Sequence, residues 1–541
     1  MRRFSWGFGI LVLLFFVVPA AEARPEQGDT RKAKAYLREV RKHLLESYID
    51  GKSLSEERLV GAALKAMAAA MRTPDFQSLE PEARDAVRSA IRDAETMDAA
   101  IDLVAERAPG VNLILLADHA ARAMIRVTGD PFSRLLTDED MKKLMKMMSG
   151  EGAEDSAGMA LQLEGNHATV MYVQYGTAAY EDGIEMGDDV REVRGRKVDS
   201  IRPEELPDLL RLPPGDTLEL KVHRFDKDYV FRIAPRKAPI KDVRYQNLGQ
   251  GVGYLRMTIF DLSLLREVKA ALKEMAKGGM RGLILDLRHN PGGALPSATG
   301  VADQFLPQGL IIAKTYSHYK PSFGGLSLPG LGGDAEYTTK VATPWEEMPM
   351  VCLIDGASAS ASELLAGALQ DHKRAVMIGE KTYGKGIGQT AIPLSSMMMR
   401  RFLYLTVMRY TTPLGHEVNH VGISPDIACP EDRYDAATFD AAWTLRRSGA
   451  LEAYLDAHPG KALLGLAESD RFEPERYPRF DDLYKKAGAG LSRDVVRAEL
   501  RRALRRRIEE EDNTLFVCDL ESDRVLQRGL VEVLDRLEKE K

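Results

Sequence analysis

The run Met350-Val351-Cys352-Leu353-Ile354 enters the segment Asp355-Gly356-Ala357-Ser358-Ala359-Ser360-Ala361-Ser362-Glu363, and Leu364-Leu365-Ala366-Gly367-Ala368-Leu369-Gln370 follows. Five apolar residues closed by a glycine turn read as a buried strand, and the Leu/Ala-rich stretch predicts a helix over Ser362 to Gln370. A strand feeding a helix through a tight turn is the unit of an α/β layer. A serine at such a turn can project into a cleft. The first amides of the helix face the same space, and having no partner within the helix they can stabilise an oxyanion. The segment has a second reading. Ser360 followed by Glu363 fits a capping box, in which the serine only caps the helix. Taken alone, the segment leaves both readings open.

Moving outward, strands are predicted over Gly253 to Phe260, Gly282 to Leu287, Ala375 to Ile378 and Phe402 to Met408, with a helix over Leu264 to Met275. The alternation from Gly251 to about Pro430 predicts an α/β core with a largely buried sheet. Two further segments lie at strand ends. In Gly379-Glu380-Lys381-Thr382-Tyr383-Gly384-Lys385-Gly386-Ile387-Gly388-Gln389, extended backbone puts Lys385, Ile387 and Gln389 on one face. Gly384, Gly386 and Gly388 then share the other face and permit another backbone to approach closely. The bland alternative for Lys385 is a solvated loop lysine. In Leu285-Asp286-Leu287-Arg288-His289-Asn290-Pro291-Gly292-Gly293, a strand ends in a turn whose glycines expose backbone N–H groups. Tyr319 to Pro344 is a long Gly/Pro-rich loop, of a length often functional or mobile.

The flanks differ in texture. Arg2 and Arg3, the apolar run Phe4 to Val18 and Ala21-Glu22-Ala23 have the order of a secretory signal peptide over 1–23. The run is short for a membrane span of roughly 20 residues, and export to the periplasm or outside the cell is expected. Residues 24–150 are read as a helical region, with Ala33, Leu37, Val40 and Leu44 recurring three or four apart. The Met-rich helix starting at Asp138-Glu139-Asp140 is expected to pack its apolar face into the core. Residues 151–235 read as a small β-rich module, Pro235 to Pro239 as a linker, 236–430 as the α/β core and 431–541 as a helical C-terminal region. In the last, the basic run Arg501, Arg502, Arg505, Arg506 and Arg507 lies beside Leu500, Leu504 and Ile508, which predicts an amphipathic helix with a solvated basic face.

Composition bounds the function. In 541 residues, apolar side chains make up 44% and charged ones 29%, which fits a soluble globular protein and argues against disorder or a multispan membrane protein. The net charge, 75 − 81 = −6, offers no support for nucleic acid as the main partner. Cys352, Cys429 and Cys518 are too few and too scattered for a disulfide framework or a structural zinc site, and a Cys429–Cys518 bridge stays open. No His/Glu spacing suggests zinc. His289, His372, His416 and His420 leave room for a rival Ser-His arrangement.

Together, the Ser-Ala-Ser-Ala-Ser-Glu and Gly-Lys-Gly-x-x-Gln segments and the Asn-Pro-Gly-Gly turn resemble the carboxyl-terminal processing peptidases, the S41 family of serine proteases. Asp130-Pro131-Phe132-Ser133, Gly253-Tyr254-Leu255-Arg256, Tyr410-Thr411-Thr412-Pro413 with Gly415, and Gly422-Ile423-Ser424-Pro425-Asp426 extend the likeness over roughly Asp130 to Asp426. The resemblance implies a peptidase core of the ClpP/crotonase-like type carrying an inserted PDZ domain over Ala157 to Arg224. It matches Ser360 to the nucleophile, Lys385 to the general base 385 − 360 = 25 residues downstream, and Gln389 to the residue that holds the lysine. Ala361 N–H with an N–H of Gly292 or Gly293 matches the oxyanion hole. The peptide-binding loop matches Gly158-Met159-Ala160-Leu161, with Ala160 where many relatives carry glycine.

It implies no metal and no cofactor, and as partners protein or peptide substrates with accessible C-termini, an activator or adaptor protein, and further copies of the chain in a homo-oligomer. Relatives of this core also act as carriers of apolar ligands, so a catalytically silent carrier or a PDZ-based scaffold is the competing expectation. The base assignment is physically demanding. A free lysine titrates near pH 10.4, and burial away from carboxylates must lower that by about 3 units, a cost of about 4 kcal/mol.

Overall fold

The computed structural model describes residues 30–541, apart from 151–155, 165, 203–204, 237–240, 321, 324–325, 328–332, 398–399, 460–462, 489, 513–514 and 540–541. The expected signal peptide at 1–23 lies outside the described residues, as do 237–239 of the expected linker. Two compact units are present. One takes in the described residues up to 45, together with 52–130 and 394–399, and the other takes in 46–51, 131–393 and 400–541.

The first unit consists mainly of the helices Thr30–Glu46, Glu56–Ala70, Pro81–Arg92, Met97–Arg107 and Leu113–Arg126. The three-to-four spacing read from the sequence is its buried stripe, since Ala33, Leu37, Val40, Leu44, Leu59, Ala63 and Met67 are all fully buried. Inside it, the Tyr36 hydroxyl donates to Asp118 Oδ1 at 2.7 Å.

The helical region expected to run to 150 therefore divides. Beyond 130 the chain forms strand Arg134–Thr137, paired antiparallel with Arg401–Thr411 in the second unit. The following Met-rich helix, Asp138–Met148, departs from expectation. None of its residues is buried, and Met145 and Met147 are 47% and 49% exposed. A capping box between Thr137 and Asp140 and an acidic first turn start this helix, and its apolar stripe Met141, Leu144 and Met148 is only half-buried.

The second unit is built on a six-stranded sheet in the order Ile427–Ala428, Val376–Gly379, Met350–Ile354, Gly282–Asp286, Val252–Met257 and Val243–Gly249. All neighbours are parallel except the last pair. Val252–Met257, Gly282–Asp286 and Met350–Ile354 are buried throughout, which is why they appear in the sequence as unbroken apolar runs. Helices Leu264–Lys277, Leu295–Ala302 and Ala361–Asp371 contribute to the core on one face.

The other face is covered by Arg524–Lys539, whose Val525, Leu526, Val533 and Leu537 pack with Tyr254, Ile284, Val351 and Leu353. The C-terminal region is helical as expected, and its last helix is part of the core. Cys352, Cys429 and Cys518 are free thiols. A second, mostly antiparallel sheet runs in the order Arg134–Thr137, Arg401–Thr411, Ile311–Ser317 and Ala335–Thr338, with Ile387–Pro393 also paired to Arg401–Thr411.

The β-rich module holds strands Met159–Glu164, His167–Val173, Asp189–Val193, Leu218–Arg224 and Lys227–Ile233 in that order, so Met159–Glu164 is an edge strand. Phe439 and Trp443, on helix Ala436–Arg447, pack on it, with ring centroids 5.1 Å from Tyr229 and 4.5 Å from Phe231 respectively. In helix Arg493–Asp512, Leu500, Leu504 and Ile508 are buried as expected, but the basic side is not solvated throughout. Arg501 is 1% exposed and donates to both oxygens of Asp519 at 2.9 Å. Arg505 and Arg506 pair with Asp519 and Asp182. The basic run is spent on acids distant in sequence.

A second ion-pair network ties the C-terminal region to the core. Arg288 is buried and donates to Asp286, to Glu431 at 3.1 Å and to Asp523 at 2.9 Å. His289 Nε2 lies 3.4 Å from Asp355 and 3.8 Å from Glu431, and its ring meets Tyr180 edge-on at 5.2 Å. Burial works against the charge of Glu431, but the nearby His289, then Arg288 and Arg256, outweigh it and hold the carboxyl down at about 2. Burial likewise opposes the His289 imidazolium, yet Asp355 and then Glu431 raise its pKa above the ordinary value.

The signs follow by linkage. The Glu431 contribution is present above the ordinary carboxyl range and is lost as pH falls through that range toward 2. The His289 contribution is full below its unfolded value and is lost as pH rises through its folded one. Urea unfolding between about pH 5 and about pH 9 is expected to show declining stability on the alkaline side in the parent and a flatter profile in His289→Gln; equal slopes would remove His289 from the account. Leu526→Ala, on the buried face of the last helix, is expected to cost about 2–5 kcal/mol by the same measurement, and a loss near zero would mean that this helix is only loosely applied.

Candidate active site

The turn after Met350–Ile354 sorts its three serines by environment. Ser358 is fully buried, and its hydroxyl lies 2.8 Å from the Leu287 carbonyl and 3.0 Å from Asp355 Oδ1. Ser362 is fully buried too and donates to the Asn290 carbonyl at 2.9 Å. Both fasten this turn to the Arg288–Gly293 loop. Ser360 alone is part-exposed, and it holds φ +55°, ψ −113° at the N-terminus of helix Ala361–Asp371. A non-glycine residue in that region is strained, and such strain persists where the surroundings over-determine it.

Glu363 is part of what over-determines it. Its side chain is fully buried, and its carboxylate accepts N–H from Ser360 at 2.8 Å, Lys385 at 2.8 Å and Gly384 at 2.6 Å, and O–H from Thr382 at 2.6 Å. Burial raises its pKa, and these four donors pull the other way. The sequence suggests only the link between Glu363 and Ser360 inside a capping box; the bonds to the lysine segment come from tertiary structure. Tyr410, buried on strand Arg401–Thr411, places its hydroxyl 2.7 Å from the Ser360 carbonyl and 2.7 Å from the Lys385 carbonyl. The sequence marks Tyr410 only as part of a family motif.

The glycine turn closes on the serine. A Cβ on Gly292 would lie 2.8 Å from Ser360 Cβ, 2.8 Å from Ala361 N and 2.7 Å from the Ala359 carbonyl oxygen, so only glycine fits there. The sequence offers Gly292 and Gly293 as equal donors, and the structure separates them. Gly292 N–H donates to Asn290 Oδ1 at 2.9 Å. Among the described residues, Gly293 N–H and Ala361 N–H have no protein acceptor.

Lys385 is half-buried, with Nζ over the Phe132 ring, 4.1 Å from its centroid. An aromatic face of this kind attracts the ammonium form. Its glycine neighbours admit another chain segment as expected, since a Cβ on Gly386 would lie 2.4 Å from Asn419 N. Gln389 donates from Nε2 to Thr406 Oγ1 at 3.0 Å. Among the histidines, His372 bonds the Ile311 carbonyl and His416 faces Asp371, while His289 belongs to the ion-pair network above.

His289, Asp355 and Glu431 form the one group among the described residues whose ligand atoms could hold a metal, lying within 4.8 Å of one another. These carboxylates are already met by Arg288 and by backbone N–H groups, including the two bonds from His289 N to Asp355 at 3.1 Å. That donor set suits an ion-pair network better than a cation site.

In the β-rich module, Gly158 and Met159 are buried, while Ala160 and Leu161 are half-buried at the start of the edge strand. Gly158 N–H is taken by Ser156 Oγ at 3.1 Å. Among the described residues, no helix is long and apolar enough to cross a membrane.

The sequence model of the family described as "Peptidase family S41" matches residues 251–429. The carboxyl-terminal-processing protease of Picosynechococcus sp. is 32% identical over 345 residues, covering 62% of this chain and 78% of its own length. The carboxy-terminal-processing protease of Bartonella bacilliformis is 32% identical over 318 residues, covering 58% and 69%. Among solved structures, a photosystem II D1 C-terminal processing protease superposes with TM-score 0.50 at 26% identity, over 70% of this chain and 94% of that one. With that relatedness along most of two curated relatives and a shared fold, the chain belongs to the carboxyl-terminal processing proteases, the serine peptidases of family S41.

Proposed function

We propose that this chain is an exported endopeptidase that hydrolyses peptide bonds with a Ser360–Lys385 dyad on a ClpP/crotonase-like core. One observation carries the reading. The strained, part-exposed serine is the member of the triplet not consumed by packing, and its backbone N–H and C=O are bonded to the same two side chains as those of Lys385. In the proposed reaction, neutral Lys385 Nζ takes the proton from Ser360 Oγ as that oxygen attacks the scissile carbonyl. The oxyanion is held by Ala361 N–H and Gly293 N–H, which among the described residues have no protein acceptor. Lys385 then gives its proton to the leaving amine, and water, deprotonated in turn by Lys385, hydrolyses the acyl-enzyme. Gln389, whose Nε2 is directed at Thr406, offers Oε1 to a lysine N–H.

The β-rich module is proposed as a PDZ domain that takes up substrate C-termini. Its edge strand Met159–Glu164 is suited to strand addition, with Met159 to Leu161 nearest the carboxylate end. Proteins with accessible C-termini are then the substrates. An activator protein, and self-association through the helical regions, complete the proposal.

With an unstructured protein such as casein as substrate, the mature parent together with any required activator is expected to cleave, and Ser360→Ala and Lys385→Arg to be inactive. The arginine variant fails because a guanidinium keeps its proton. Cleavage by Ser360→Ala at the parent rate would sink the nucleophile assignment, and full activity in Lys385→Arg would sink the base. For the module, a peptide with a free C-terminal carboxylate is expected to bind about 10-fold or more tighter than its C-terminal amide, as measured by fluorescence anisotropy; equal affinities would remove C-terminal capture.

A further inference from the structure

Ser360 and Lys385 come from different layers. The serine follows a strand of the parallel sheet, and the lysine lies two residues before the first residue of Ile387–Pro393 in the antiparallel one. Proton transfer between two side chains requires them to meet within hydrogen-bond reach, and positions in catalytic sites are held to within about 0.5 Å. Neither residue is in a rigid position by itself, one lying at a strained turn and the other in a glycine-flanked segment. Something must set their spacing.

Two buried side chains contact the backbone of both residues. Glu363 Oε2 accepts the N–H of Ser360 and the N–H of Lys385, each at 2.8 Å. The Tyr410 hydroxyl lies 2.7 Å from the carbonyl of each of the same two residues, and its single proton is shared between them. A closed ring results, running from Ser360 N–H through the carboxylate to Lys385 N–H, and from the Lys385 carbonyl through the phenol back to the Ser360 carbonyl. Glu363 is itself anchored by Gly384 and Thr382, the latter accepting from Ile423 N–H at 2.6 Å, and Tyr410 by the bond from its N–H to the Gly386 carbonyl at 2.9 Å. Four donors converge on Glu363, and Thr382 Oγ1 is already an acceptor for Ile423, so the ionised form is the one that satisfies the site.

We propose that Glu363 and Tyr410 are positioning residues that set the separation of Ser360 and Lys385 by holding the backbone of both, the acid at their N–H groups and the phenol at their C=O groups. This rests on the Ser–Lys reading above. The carboxylate also places a fixed negative charge against the backbone of the lysine, which favours its protonated form.

The test is steady-state kinetics on the full-length mature chain with a fluorogenic peptide that the parent cleaves, across pH. Tyr410→Phe and Glu363→Gln are each expected to lower kcat by about 10-fold or more with KM within about 2-fold. Glu363→Gln is further expected to move the acid limb of kcat/KM to lower pH, whereas Tyr410→Phe leaves that limb in place. Because both hold the same pair, the double variant is expected to lose less than the product of the single losses. Tyr36→Phe removes a buried phenol that bonds Asp118 at 2.7 Å within the first unit, and it is expected to lower stability with kcat unchanged. Should Glu363→Gln fail to fold, Tyr410→Phe decides through its kcat and KM. If the folded single variants keep parental kcat and pH profile while Ser360→Ala and Lys385→Ala are inactive, the positioning role is wrong and the dyad stands. If Ser360→Ala or Lys385→Ala keeps parental activity, the dyad falls and the positioning role falls with it.

Discussion

A buried carboxylate without a partner is among the costliest groups a protein can hold, and Glu363 is fully buried. It is tolerated because four donors from two chain segments converge on it. The dependence runs both ways. If the helix N-terminus moved away from the Thr382–Lys385 segment, the acid would lose three of its four hydrogen bonds. Local strain at Ser360 is therefore secured by a charge that has no alternative solvation. The parallel sheet provides the frame, since strands buried on both faces fix where the turn and the lysine segment begin.

The same logic recurs away from the catalytic turn. Arg288 and Arg501 are almost wholly buried, and each is matched by carboxylates from distant parts of the chain. Breaking one partner of such a pair leaves an uncompensated charge, so these networks couple segments that hydrophobic packing alone would leave loosely related. Through Glu431 and Asp523 the C-terminal region reaches the loop that carries Gly292 and Gly293. Through Arg506 and Asp182 it reaches the β-rich module. The residues after 430 are thus structural partners of the site as well as of the sheet.

Several readings from residues alone match the coordinates closely, and their failures share a cause. The apolar runs at 282–287 and 350–354 are strands because a double-faced sheet demands uninterrupted apolar residues. The four-residue spacing of Leu500, Leu504 and Ile508 marks a buried stripe for the same kind of reason. The Met-rich helix at 138–148 misleads because periodicity shows that a face exists, not how deeply it is covered. The basic run at 501–507 misleads because charge in sequence says nothing about acids at 182 or 519. Gly292 could not be told from Gly293 as an amide donor, since the choice depends on where the Asn290 side chain folds back.

By itself the sequence determined which segments are strands and helices in the core, and which serine, lysine and glycines carry the family pattern, because those properties reside in local periodicity and in residue type at fixed spacing. Only the tertiary structure decided that the last helix closes the second face of the sheet, that one glycine N–H is consumed while its neighbour's is not, and that Glu363 and Tyr410 both hold the serine and lysine backbones. The first and the last join residues distant in the chain, and the second turns on where the Asn290 side chain folds back. Such contacts depend on the direction of a side chain after folding, which no spacing along a strand or helix encodes.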